Sequence, residues 1–210
     1  MTVPAVVLAA GRSSRMGRTK ALLPIGSSGQ TFLTRIVDVL RAGGAAPIVV
    51  VVGTDADAVI ATLPTNDPAV RVVRNPRVDD GQLSSLLVGL DVVERECPGA
   101  PGTLMTLVDL PLIAADTVRA VIAAVRESPS SPLVRPTRGP RFGHPVFFGR
   151  ALFAEFRAAD PAFGAKPVVR AHAHEERNVP IDDDGSFADV DTPDDYERLI
   201  RPTLPAGPTA

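Results

Sequence analysis

The sequence predicts an α/β protein with a doubly wound, mostly parallel, Rossmann-like sheet and helices on both faces. Two observations predict it. Short apolar runs without polar alternation recur at 3–9, 48–52 and 103–108, as in strands covered on both sides, and a further strand lies at 70–74. Segments of helical spacing lie between them, and alternation of the two is the signature of a doubly wound sheet.

The elements follow in order. Strand 3–9 runs into a loop of small and basic residues. A helix then spans 31–43, with Thr31 as its cap and Gly43-Gly44 as its stop. Strand 48–52 precedes a short helix at 55–63 that Pro64 ends, and 70–74 is the third strand. The amphipathic helix 84–96 presents Leu86, Leu87, Leu90 and Val93 on one face. Strand 103–108 and helix 115–125 complete the regular part. After Ser128-Pro129-Ser130-Ser131-Pro132 the rhythm changes: 133–136 and 145–148 read as paired strands across a Gly/Pro/Arg turn. Helices at 150–158 and 165–172, a strand at 177–181 and a helix at 193–200 close the chain. There is no internal repeat.

Length and composition set bounds. The 210 residues suit one domain over 1–201, followed by a Pro- and Ala-rich tail, 202–210, expected to be disordered. The chain is 45% hydrophobic and 22% charged with a net charge of −2, so no broad basic face for nucleic acid is expected. No run reaches membrane-spanning length and no signal-peptide layout precedes the first strand, which points to a cytoplasmic protein. The single cysteine, Cys97, excludes an internal disulfide and a Cys-based zinc cluster.

The chemistry begins at the first strand's end. After Leu8, Ala9, Ala10 and Gly11 carry almost no side chain, so a ligand can approach the backbone N–H groups. Arg12, Arg15, Arg18 and Lys20 add charge, Ser13 and Ser14 add hydroxyls, and Met16 and Gly17 complete the loop. Phosphate oxygens favour this mixture of backbone donors, guanidinium and ammonium. The other reading is a strand–turn with solvated basic residues. Lysine occurs only at Lys20 and Lys166, so a compact charge beside the loop stands out. A Walker A loop is excluded, because five residues separate Gly11 from Gly17 and Ala21 follows Lys20. The dinucleotide fingerprint G-x-G-x-x-G is also missing.

Two aspartates fall at later strand ends. Asp109, in Leu107-Val108-Asp109-Leu110-Pro111, ends the fourth strand; Asp191 precedes Thr192-Pro193 and the last helix. Mg²⁺ takes one or two carboxylates together with phosphate oxygens. Asp191 has a second reading, as part of the helix cap built on Thr192. Asp182-Asp183-Asp184-Gly185 reads as a solvated turn, and His172 and His174 as exposed helix-end residues. Asn75, at a strand end in the crevice, is placed to read a base edge, with Gly81, Ser84 and Ser85 beside it. Helix-start hydroxyls cap as readily as they contact ligand, so both readings stand for Ser84 and Ser85.

These stretches, with Gly143-His144-Pro145-Val146 and Asp189-Val190-Asp191-Thr192-Pro193-Asp194-Asp195, resemble the MobA-like nucleotidyltransferases of molybdenum-cofactor synthesis over about residues 3–200. The resemblance implies a sheet of the nucleotide-diphospho-sugar transferase type with a small β-hairpin extension on the acceptor side. It implies that Leu8 to Gly11 contact base and ribose, with Asn75 and Gly81 to Ser85 completing that pocket. Arg15 and Lys20 would hold the triphosphate, Asp109 and Asp191 would hold Mg²⁺, and His144 would face the acceptor phosphate. Guanylyl-transferring relatives carry Leu-Ala-Gly-Gly where this chain has Ala10, which tilts the expectation to CTP. The expected acceptor is molybdopterin, with a molybdoenzyme or its chaperone as recipient. A related transferase acting on a sugar phosphate is the first alternative. A non-catalytic cofactor-delivery protein is the second, and the presence of both Lys20 and Asp109 argues against it.

Overall fold

β1 (Val3–Ala9) is buried at every position, because it lies in the middle of the sheet with helices on both faces. The computed structural model describes residues 2–26, 29–63 and 67–200. The helix stop expected at Pro64 and the tail 202–210 lie outside the described residues.

The remaining elements follow in chain order. α1 (Phe32–Ala42) and β2 (Ala45–Val52) come first, then α2 (Ala56–Ile60) and β3 (Val70–Arg74). α3 (Gln82–Glu96), β4 (Gly102–Leu107) and α4 (Ala115–Glu127) continue the alternation. β5 (Leu133–Arg138), β6 (Arg141–Phe142) and β7 (Val146–Gly149) are followed by α5 (Leu152–Ala158) and α6 (Lys166–Ala171). β8 (Glu176–Pro180) and α7 (Pro193–Leu199) end the described chain.

The sheet runs β3-β2-β1-β4-β7-β5-β6, with β8 beside β5. β3, β2, β1 and β4 are mutually parallel, whereas β7 is antiparallel to both β4 and β5. Period-2 alternation sorts the strand residues between two cores. Ala5, Val7 and Ala9 of β1 pack with α1 and α4, while Val6 and Leu8 pack with α3 and α5.

The strands expected at 133–136 and 145–148 pair antiparallel as the sequence predicts, Leu133 with Phe148 and Val134 with Phe147. β7 inserts between β4 and β5, so both expected strands are members of the main sheet. Burial gives the reason: Phe147 and Phe148 point to opposite faces and each is covered by its own core. The tight hairpin is β5–β6, pairing Thr137 with Phe142 and Arg138 with Arg141, which the sequence pattern did not reveal. β2 starts before the expected strand and α2 ends before the expected helix.

Helix ends follow local chemistry. Thr31 and Thr34 exchange side chain-to-backbone bonds at the start of α1, and Gly43 ends it. Thr192 and Asp195 do the same for α7, with Pro193 in its first turn. Among the described residues, no helix is long and apolar enough to cross a membrane.

Gly89 sets the approach of α3 to the sheet. A Cβ there would stand 2.5 Å from Val6 Cγ1 and 3.3 Å from Val51 Cγ2, both on buried, β-branched residues. Gly89→Ala should therefore destabilise by about 1–3 kcal/mol despite its better helix propensity. A urea midpoint equal to or above that of the parent protein would show that α3 has room to spare.

Candidate functional site

Ser13 shapes the loop after β1. It adopts φ 50°, an uncommon conformation outside glycine, and its carbonyl accepts the N–H groups of Met16 and Gly17, each at 3.0 Å. Its Oγ accepts the Lys20 backbone N–H at 3.0 Å. Met16, expected among the ligand contacts, is buried in the core instead and pins the loop from below. Gly17 provides a second left-handed turn, at φ 69°. The chain thereby returns to place Lys20 at the start of a short 3-10 turn, Lys20–Leu22.

The aspartates converge on that lysine. Asp109 follows β4, and its carbonyl accepts the Val190 N–H at 2.8 Å, which brings the segment before α7 alongside the end of β4. Lys20 Nζ then donates to Asp109 Oδ2 at 3.0 Å and to Asp191 Oδ1 at 2.5 Å. Arg15 Nη1 lies 2.9 Å from Asp191 Oδ2. Thr192 caps α7, leaving the Asp191 carboxylate turned toward Lys20.

These groups surround a cavity of about 300 Å³ at the carboxyl ends of β1 and β4. Leu8, Ala10, Gly11, Ser13, Ser14 and Arg15 line it from the loop side. Gly81 and Ser85 line the opposite side, and Lys20, Asp109 and Asp191 form its charged end. Gln82, Val78, Leu107 and Val108 also line it. The sequence reading missed them because apolar and amide side chains carry no chemical signature.

The charged end suits a hard divalent cation. Asp109 Oδ1 is buried without a hydrogen-bond partner among the described residues, an arrangement that calls for one. Burial, together with the carboxylates of Asp109 and Asp191, raises the Asp189 pKa above the usual aspartate range. The donors at this end are carboxylate oxygens, the ligands Mg²⁺ and Mn²⁺ prefer. No group of three or more His, Cys, Asp or Glu forms a ready ion cage among the described residues. Asp109 and Asp191 would hold such an ion only with ligand or water oxygens completing its shell.

Other expected residues separate into contact and support. Asn75 is buried, and its amide donates to Ser84 Oγ at 2.8 Å and Ser85 Oγ at 2.9 Å. Its Oδ1 accepts the Arg77 N–H at 2.8 Å, so its polar atoms are engaged within the protein. Ser84 donates to the Arg77 and Gly81 carbonyls, away from the cavity. Ser85 and Gly81, the latter at φ 85°, are the members of this set that reach the lining. Arg12 is exposed and pairs with Asp79 across the mouth at 2.5 Å, a contact of small energetic weight. Ala9 and Arg12 flank a narrower crevice beside Gly53, where a Cβ would press on the Ala10 carbonyl at 2.3 Å.

His144 lies outside the cavity lining, next to it on the sheet. Its Nδ1 donates to the Met105 carbonyl at 3.3 Å, and its backbone N–H donates to the Ser186 carbonyl at 3.0 Å. Burial pushes its pKa below the usual histidine value, against the opposing pull of the Met105 carbonyl and Asp109. Nearby, Arg135 grips Glu176 through Nε at 2.8 Å and Nη2 at 2.5 Å, and its guanidinium lies 3.6 Å from the Phe142 ring centroid. Two expectations about exposed polar residues need correction. Asp183 is tied to the Ala114 N–H and the Thr117 hydroxyl, anchoring the start of α4. His172 bonds Glu155 and Glu175 at 2.9 Å each, joining α5 to the end of α6.

The chain resembles known proteins in sequence and in fold. The family model described as "MobA-like NTP transferase domain" matches residues 5–176. A Rhodopirellula baltica protein named "Probable molybdenum cofactor guanylyltransferase" is 39% identical over 127 residues, covering 60% of this chain and 56% of its own length. The chain thus spans about half the length of that relative. Nicotine blue oxidoreductase of Paenarthrobacter nicotinovorans is 30% identical over 94% of this chain and 96% of its own. Among solved structures, Rv0371c of Mycobacterium tuberculosis is 33% identical, with a TM-score of 0.79 over 96% of this chain and 99% of its own. A manganese complex of Rv0371c aligns at 32% identity, with a TM-score of 0.74 over 96% and 99% of the two chains. On the family match over residues 5–176, this chain belongs to the MobA-like NTP transferase family.

Proposed function

We propose that the chain is a metal-dependent cytidylyltransferase that moves CMP from CTP to the terminal phosphate of a molybdopterin-type acceptor. The observation that carries this reading is the meeting of Lys20, Asp109 and Asp191 at one end of a cavity floored by the Ala10-Gly11 backbone. Ala10, in the place where guanylyl-transferring relatives carry glycine, favours the smaller base.

An acceptor phosphate oxygen would attack the α-phosphorus of CTP in line. The α–β P–O bond breaks, and its electron pair leaves with pyrophosphate. A phosphate monoester, with a second pKa of about 6, is already ionised at neutral pH, so no general base is needed. Positioning and charge stabilisation then supply the rate. Lys20 and Arg15 neutralise the leaving pyrophosphate, and Gly11 and Ser13 to Arg15 position the phosphates. A divalent cation held by Asp109 and Asp191 would supply Lewis-acid stabilisation of the phosphate oxygens.

His144 takes the acceptor side in this reading, but as a neutral ring. With Nδ1–H committed to the Met105 carbonyl, Nε2 presents a lone pair, suited to an O–H or N–H of the acceptor rather than to its phosphate. The full-length likeness to nicotine blue oxidoreductase favours a second reading, in which the cavity holds a nucleotide without transferring it.

Pyrophosphate release separates these readings. The protein is incubated with each NTP, Mg²⁺ or Mn²⁺, and either molybdopterin or sugar phosphates. Release with CTP and molybdopterin is expected. Preference for GTP would overturn the role given to Ala10, release only with a sugar phosphate would change the acceptor, and no release would favour the second reading. Asp109→Asn should lower kcat at least about 100-fold in a protein that stays folded, with Asp191 still pairing Lys20. Near-normal turnover would remove Asp109 from the metal site.

His144 also gives a pH dependence. Its folded pKa is depressed, so its contribution to stability is present above the unfolded value of about 6.5 and is lost as pH falls from there toward the folded pKa. The ring should titrate below 6.5 by NMR, and His144→Gln should flatten the acid side of the stability curve. A ring that is protonated at pH 7 would restore the phosphate contact.

A further inference from the structure

The groups suited to the cation and those suited to the phosphates neutralise each other in this structure. Asp109 and Asp191 offer four carboxylate oxygens. Lys20 takes Asp109 Oδ2 and Asp191 Oδ1, and Arg15 takes Asp191 Oδ2. The fourth oxygen, Asp109 Oδ1, is the buried one without a partner among the described residues. Lys20 is itself 8% exposed, so its ammonium has little water to retreat into if the carboxylates are taken away.

A free divalent cation approaching this pair must therefore displace a buried ammonium and leave it unpaired, which is strongly unfavourable. A polyphosphate chain changes the balance. Its oxygens give Lys20 and Arg15 new partners, and the carboxylates are freed for the cation at the same moment. Lysine suits this exchange better than arginine, because its ammonium is a compact point charge on a flexible stem.

We propose that Lys20 is a tethered stand-in for the metal, so that the site takes a divalent cation together with a polyphosphate chain and discriminates against the cation alone. The proposal rests on the reading of Asp109 and Asp191 as metal ligands and defines the form in which the nucleotide is accepted, as its metal chelate. Linkage makes the coupling reciprocal: polyphosphate tightens the cation by the factor by which the cation tightens polyphosphate.

The test needs no turnover. Mn²⁺ binding to the whole protein is followed by water-proton relaxation enhancement, with and without inorganic tripolyphosphate. The wild-type protein should bind Mn²⁺ at least about tenfold more weakly alone than in the ternary complex, an ordinary size for coupling between sites. Lys20→Met should bind Mn²⁺ alone at least about tenfold more tightly than wild type and should lose most of the coupling. Lys20→Gln takes its place if Lys20→Met fails to fold, because tripolyphosphate oxygens by themselves tighten Mn²⁺ in the wild type. Equal Mn²⁺ affinity with and without tripolyphosphate, or no gain in a folded Lys20→Met, would overturn the proposal. Asp109→Asn should weaken Mn²⁺ in both backgrounds; unchanged affinity would remove the carboxylate assignment and the proposal with it. Coupling without pyrophosphate release from any NTP would leave the proposal standing and sink nucleotidyl transfer.

Discussion

The Lys20 ammonium, held between the carboxylates of Asp109 and Asp191, joins three chain segments that are far apart in sequence. Each partner reaches it by a separate device: the left-handed turn at Ser13 returns the loop, the end of β4 presents Asp109, and the Val190–Asp109 backbone bond brings in Asp191. Charges this enclosed are costly unless they are paired, so the three segments are mutually dependent. The cavity exists because they meet.

The sheet makes this meeting possible. β1 and β4 are adjacent and parallel, with Leu8 paired to Leu107, so the loop after one strand and the aspartate after the other emerge at the same edge. In open α/β sheets that edge is where ligands bind. α3 covers the same face, and Gly89 lets it approach closely enough for the turn at Gly81 to form the facing wall. On the far side of β4 the antiparallel β7 puts His144 next to the cavity. Beyond it lies the Arg135–Glu176 pair, whose guanidinium backs the exposed ring of Phe142. The loop cavity and the region around His144 are thus neighbouring stations along one sheet.

Much of this was legible in the chain because the signals were local. Continuous apolar runs marked β1 and β2, and Thr31 and Thr192 marked helix starts through hydroxyl chemistry that acts within three residues. Small residues followed by basic ones marked the loop. The less legible parts all depend on distant partners. Asn75 looked like a ligand contact because polar groups at strand ends usually are, yet Ser84 and Ser85 consume its amide. Met16 looked like part of the loop's chemistry, but its side chain finds a core. Asp183 looked solvated until α4 supplied Ala114 and Thr117 as donors.

Taken alone, the sequence determined the α/β alternation, the loop of small and basic residues and the two aspartates, because propensity, periodicity and charge type are properties of neighbouring residues. Tertiary structure decided which groups share a site. Only the folded sheet brings Lys20 between Asp109 and Asp191, sends β7 between β4 and β5, and separates contacts from supports around Gly81. Those outcomes depend on strand order, register and burial, which arise from long-range packing and leave no local trace in the chain.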